Sequence, residues 1–286
     1  MKFFVTGATG FLGRKIVNML VGAGHSAICT KRSTSHIGCL ADNDSVTFVN
    51  ISDDDWLKGF DEHDIDCVIH CATNYGRKDA SISDMIYTNI TLPAILLDAA
   101  VSKGVRYFIN TDTALSEGVS AYSFSKKQFL RWSHFFSQDI KVINLSLEHF
   151  YGPGDSDSKF VSYLITNLRD NNSRSLALSE GLQKRDFIYI DDVISAYKVV
   201  VDNIHDFTDS FTEIGVGTNN LISIRELVLL VKKLTNNTKT KLDFGAIPQR
   251  DGEMQSDCDI SFLGKLGWTP KYSLEDGIAE SIWQSR

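Results

Sequence analysis

Basic runs, paired cysteines and a signal-like leader are all missing from this chain, and each absence removes a class of function. Lys and Arg never form a run, and a formal charge of −7 with a pI near 5.5 offers no basic face to a phosphate backbone, so nucleic acid is not expected as a partner. The five cysteines are odd in number and irregular in spacing, which suits reduced thiols better than a disulfide framework, and none has metal-ligand spacing. No metal is expected. Cys67 and Cys71, alternating with Val68 and His70 in a strand-like run, read as packing residues. No apolar stretch approaches the roughly 20 residues of a membrane-spanning helix. KFFVTG, directly after Met1, has neither the charged nor the long apolar region of a secretory signal. A cytoplasmic location without a membrane partner is the expectation.

What is present is an ordinary globular composition: 286 residues, 43% hydrophobic and 23% charged. Short apolar runs at 2–6, 26–30, 46–50, 67–71, 107–111 and 142–146 alternate with helix-length segments, which is the pattern of βαβ units. The expected fold is therefore α/β, a Rossmann-type doubly wound parallel sheet over residues 1–150. A turn-rich break, YGPGDSDSK, opens a looser half of polar loops and short helices, read as a smaller C-terminal lobe over 151–286 with some chain crossing back to the first domain.

TGATGFLG sets Gly7, Gly10 and Gly13 between the first strand and the first helix. Glycine allows the tight turn and lets backbone approach a pyrophosphate, while a helix start offers free N–H groups and positive dipole charge. Thr9, Phe11 and Leu12 share this loop, and Ala72 follows the fourth strand. All are expected to contact a dinucleotide. After the second strand a free ribose 2′-hydroxyl calls for Asp or Glu, whereas a 2′-phosphate calls for positive charge. CTKRS supplies Lys31 and Arg32, so NADPH is expected over NADH.

Tyr122 and Lys126 stand one helical turn apart in SAYSFSKK, so the two share a helix face. Taken with the glycine spacing, a Thr at the end of the preceding strand, and the segments DCVIHCAT, NITLPAILLDAA, YGPG, RDFIYIDDV and LGWTPKYSLEDGI, the chain resembles the extended short-chain dehydrogenase/reductases, which include sugar-nucleotide epimerases, dehydratases and reductases. The resemblance covers nearly the whole length. It implies that Tyr122 is the general acid/base and that Lys126 lowers its pKa and reaches the nicotinamide ribose. A Thr hydroxyl would orient the substrate oxygen, a role matched to Thr111, with Thr113 as second candidate. Dehydratases of the family carry Asp-Glu after that Thr; here Asp112-Thr113 stands there, so dehydration is not expected.

LEHFYGPGDSDSKF, QKRDFIYIDDVISAY and LDFGAIPQRDGEM resemble most closely the reductases that make CDP-abequose and CDP-paratose from CDP-4-dehydro-3,6-dideoxyglucose in O-antigen biosynthesis. By that resemblance the chain is an NADPH-dependent 4-ketoreductase. Arg185 and Arg250 would fork onto the diphosphate of the nucleotide sugar. Asp112, Thr113, His149 and Lys159 are further candidates for substrate contact, and Tyr75 borders the same region. The alternatives are an NAD-dependent 4-epimerase, which would want an acid after the second strand, and a non-catalytic NADP-binding regulator, which would not need Tyr122 and Lys126. The family also implies a homodimer through helices near 81–103 and 121–137.

Overall fold

The computed structural model describes residues 1–40, 43–53, 55–77, 80–172, 174–248, 255–256 and 258–284. The chain divides into two compact units, Met1–Ser146 with Ala196–Ile214, and Leu147–Ser195 with Gly215–Arg286. The first unit thus takes in a later segment of the chain, which carries the second part of the helix Ile190–Asp202.

The first unit is built on six strands that the apolar runs foreshadow: β1 (Lys2–Thr6), β2 (Ser26–Lys31), β3 (Val46–Asn50), β4 (Cys67–His70), β5 (Tyr107–Thr113) and β6 (Lys141–Leu147). With Phe211–Val216 they form a seven-stranded sheet in the order Phe211–Val216, β6, β5, β4, β1, β2, β3. The pairs β1 with β2, β2 with β3, β1 with β4 and β4 with β5 all run parallel. Strands covered on both faces can be apolar throughout, which is why Phe3, Phe4, Val5, Val68, Ile69, Phe108 and Ile109 are all buried. Strand order reverses between β1 and β4, where an open α/β sheet leaves a crevice at its carboxyl edge. The architecture is Rossmann-like.

One face of the sheet carries Phe4, Val68 and Phe108, which pack with Leu96, Leu97, Ala100 and Phe129 into one cluster. Leu96, Leu97 and Ala100 belong to Ile82–Ser102, a 21-residue helix long and apolar enough to cross a membrane, against the expectation of no such stretch. Its Met85, Asn89, Leu92, Leu96 and Ala100 side chains are buried within the protein, whereas Ile82, Ile86 and Tyr87 are exposed. Its backbone loosens into a π turn at Tyr87–Thr91, a feature often found at functional sites.

In the second unit the expected loops and short helices are joined by short strands. Lys184–Tyr189 pairs with His149–Tyr151, Leu221–Ser223 and Gln255–Ser256, and Lys241–Phe244 pairs with Ser175–Leu178. Strands of two to six residues show too little alternation to stand out in sequence.

Candidate active site

At the carboxyl end of β1 the glycine loop is built for close approach. Gly7 has φ +68°, and a Cβ there would lie 2.7 Å from the Ala72 amide nitrogen, just past β4. A Cβ on Gly13 would collide with the Gly7 carbonyl. The Gly10 amide donates to Gly7 O at 2.9 Å and closes the turn. Helix Phe11–Gly22 then starts with no side-chain cap and no acidic residue in its first turn. Its first amides and positive dipole end suit an anionic group. Leu12 is buried under the loop, with Thr9 and Phe11 partly exposed.

Lys31 closes β2, and Arg32 follows it, exposed, with its amide donating to Ser35 Oγ at 3.1 Å. Neither forms an ion pair among the described residues, so both cations remain available.

Tyr122 lies in the first turn of helix Ala121–Phe135, which is fixed by a capping box between Ser120 and Ser123. Its ring packs 4.8 Å from that of Tyr75. Burial lifts the phenol's pKa well above its ordinary value, with Tyr75 and Asp112 pushing the same way and hydrogen bonds from Thr113 and Thr73 opposing them. Burial is the largest of these influences. Lys126 is itself buried, and that burial depresses its own pKa while Asp112 and Cys71 raise it.

The two candidate threonines have different partners. Thr111 Oγ1 lies 2.7 Å from the Tyr197 hydroxyl and donates to Cys71 Sγ at 3.5 Å, whereas Thr113 Oγ1 accepts the Leu115 amide at 3.2 Å and favours the ionised form of the Tyr122 phenol. Burial pushes the Cys71 thiol up to about 11, so it stays neutral.

Asp112 is buried and pairs with Lys127, whose Nζ donates to Oδ2 at 2.7 Å and to the Thr113 carbonyl at 2.7 Å. Asn144 Nδ2 also donates to Oδ2, at 3.3 Å. Asn89, from the π turn, donates to Asn74 O at 2.8 Å and to Ser125 Oγ at 2.9 Å, and accepts from Asn74 N at 2.8 Å. It ties the loop carrying Thr73 and Tyr75 to the helix carrying Tyr122. Lys127, Asn89, Thr73 and Tyr197 were not singled out from sequence, because their roles depend on partners far along the chain. A π turn around a buried Asn is invisible to helical periodicity.

The remaining candidates, apart from Arg250, belong to the second unit. His149 packs against Phe187 at 5.7 Å, with Nδ1 3.5 Å from the buried Glu148 carboxylate. Lys159 precedes helix Phe160–Arg169, its ammonium 5.6 Å from the centre of the Phe150 ring. Arg185 is half-buried, with Nη1 donating to the Lys184 carbonyl at 2.6 Å. Its neighbour Asp186 turns inward to accept the Thr218 and Asn219 amides at 2.6 and 2.8 Å, and burial raises its pKa. Arg250 lies outside the described residues.

A CDP-abequose synthase from Salmonella muenchen is 32% identical over 98% of this chain and 97% of its own length. One from Yersinia pseudotuberculosis is 25% identical over 90% of this chain and 91% of its own. Among solved structures, UDP-glucose 4-epimerase of Thermotoga maritima with UDP-glucose superposes with a TM-score of 0.84 at 23% identity, covering 99% of this chain and 98% of that one. UDP-glucuronic acid 4-epimerase of Bacillus cereus, in complex with UDP-glucuronic acid and NAD, gives the same score, identity and coverage. The NAD dependent epimerase/dehydratase family model matches residues 3–211, and the chain belongs to that family.

Proposed function

We propose that the protein is an NADPH-dependent reductase of the C4 ketone of a nucleotide-activated deoxyhexose, taking CDP-4-dehydro-3,6-dideoxy-D-glucose to CDP-abequose or CDP-paratose in O-antigen biosynthesis. The observation that carries the reading is Tyr122 in the first turn of its capped helix, packed on Tyr75, with the buried Lys126 one turn along. The relatives called CDP-abequose synthase support the substrate class, since the likeness runs through both units. The epimerase structures, at 23% identity, support the fold and leave the reaction to the site.

The glycine loop and the start of helix Phe11–Gly22 would hold the pyrophosphate, Lys31 and Arg32 the 2′-phosphate, and Ala72 the loop side of the dinucleotide. Lys126 would reach the nicotinamide ribose. When bound, the reduced nicotinamide supplies a hydride to C4. Tyr122 gives its phenolic proton to the ketone oxygen, so a secondary alcohol leaves and the phenol is reprotonated from water. Thr113, whose hydroxyl favours the ionised phenol, would take the orienting role that the resemblance assigns first to Thr111. Arg185 and Arg250 would bind the diphosphate, with Asp112, His149 and Lys159 as further contacts. The free cations Lys31 and Arg32 argue against an NAD-bound epimerase. A cytoplasmic homodimer completes the proposal, its surface drawn from Trp132 and Phe135, which are 53% and 71% exposed on helix Ala121–Phe135.

NADPH oxidation by the purified protein with CDP-4-dehydro-3,6-dideoxyglucose tests this reading, with NADH and a dTDP-4-keto-6-deoxy sugar run alongside. Turnover specific to NADPH and the CDP sugar is expected. Binding of NADPH without turnover of any keto sugar would count against it.

A further inference from the structure

Two lysines follow one another in SFSKK, and successive side chains on a helix point about 100° apart. Lys126 is buried and lies one turn along the helix from the half-buried Tyr122, while Lys127 is turned toward the end of β5. There its ammonium bridges Asp112 Oδ2 and the Thr113 carbonyl, with 18% of the Lys127 side chain and none of the Asp112 side chain exposed. The other carboxylate oxygen, Oδ1, is buried with no hydrogen-bond partner. Oδ2 has the neutral Asn144 amide as its further donor, so the charge of Asp112 is offset mainly through Lys127.

We propose that Lys127 is a positioning residue of the reductase site: by gripping Asp112 and the Thr113 carbonyl together, it fixes the end of β5 against the helix that carries Tyr122 and neutralises a buried carboxylate there. The inference rests on Tyr122 being the proton donor. Among the described residues the groups that bear on Tyr122 are Asp112 and Thr113 from β5 and Thr73 and Tyr75 from the loop after β4, with Lys126 one turn along its own helix. Arg77 lies over the far side of Tyr75, 5.5 Å from its ring centre. Of these, Asp112 raises the phenol's pKa, and Lys127 is its counter-ion.

The two halves of the pair must then act on Tyr122 with opposite sign. Lys127→Met strips the counter-ion from Asp112 and makes the phenol harder to ionise. Asp112→Asn removes the negative charge, leaves the ammonium behind and makes the phenol easier to ionise. A tie that only held the helix to the strand would give both variants the same defect.

The test places 3,5-difluorotyrosine, whose phenol titrates at lower pH than tyrosine's, at position 122 and follows it by ¹⁹F NMR in the whole protein, with no turnover needed. The expected midpoint rises by about one pH unit in Lys127→Met, falls by about one in Asp112→Asn, and returns toward the parent in the double variant. Lys127→Arg should keep the parent midpoint. Shifts of the same sign in both single variants, or no shift in either, would overturn the proposal. Should Lys127→Met fail to fold, Asp112→Asn decides alone, since an unmoved midpoint there sinks the idea. Opposed shifts in a protein that reduces no keto sugar would instead uphold the electrostatic link while refuting the reductase.

Discussion

Thr111 Oγ1 and the Tyr197 hydroxyl lie 2.7 Å apart, and Tyr197 is fully buried. That contact separates two threonines that the run INTDT leaves hard to tell apart. Thr111 satisfies a core tyrosine, and Thr113 acts on the phenol of Tyr122, the proposed acid. Thr113→Val should lower kcat about a hundredfold, the scale of a lost group in general acid catalysis, with little change in melting temperature. Thr111→Val should do the reverse, lowering stability by about 1–3 kcal/mol because the Tyr197 hydroxyl loses its partner. Steady-state kinetics and thermal unfolding of both variants decide, and equal kinetic losses would count against the assignment.

The proposed preference for NADPH should reside in Lys31 and Arg32. Each charge-assisted contact to a 2′-phosphate contributes about 1.5–3 kcal/mol, so Arg32→Ala should raise the KM for NADPH by roughly tenfold or more and leave that for NADH nearly unchanged. A parallel rise for both cofactors would place the effect in the fold rather than in the phosphate contact.

Much of the first unit could be read from the chain because βαβ periodicity is local: the runs at 2–6 and 46–50 coincide with β1 and β3, and the glycine loop falls between β1 and its helix. Tyr122 and Lys126 were legible for the same reason, being one helical turn apart. Lys127 was not, because its partner Asp112 sits on a strand that only tertiary packing brings beside it. In the second unit, His149–Tyr151 and Leu221–Ser223 have three residues each, too few for an alternating pattern to emerge.

His70 should make the protein acid-sensitive. It ends β4 fully buried, with Nδ1 2.8 Å from Thr6 Oγ1 and Nε2 without a partner. Burial, then the charge of Lys126, holds its pKa well below the ordinary 6.5. The unfolded chain takes up a proton below that pH and the folded chain does not, so this stabilisation is complete above about pH 6.5 and declines as pH falls. The slope approaches about 1.4 kcal/mol per pH unit. Urea unfolding of His70→Gln should show a flatter acid limb than the parent between about pH 6.5 and 5; identical limbs would contradict the argument.

If the exposed aromatics of helix Ala121–Phe135 form a subunit contact, the double variant Trp132→Glu, Phe135→Glu should sediment as a monomer where the parent is a dimer. A parent that is monomeric at micromolar concentration would remove the homodimer from the account.

The most direct measurement follows deuterium from [4-²H]NADPH into the sugar, by NMR of the product made from CDP-4-dehydro-3,6-dideoxyglucose, with Tyr122→Phe as control. One deuterium at C4 for each NADPH consumed, a single C4 configuration, and loss of turnover in Tyr122→Phe with NADPH binding retained are expected. Exchange between C4 epimers with no NADPH consumed and no deuterium in the sugar would contradict the proposed reduction.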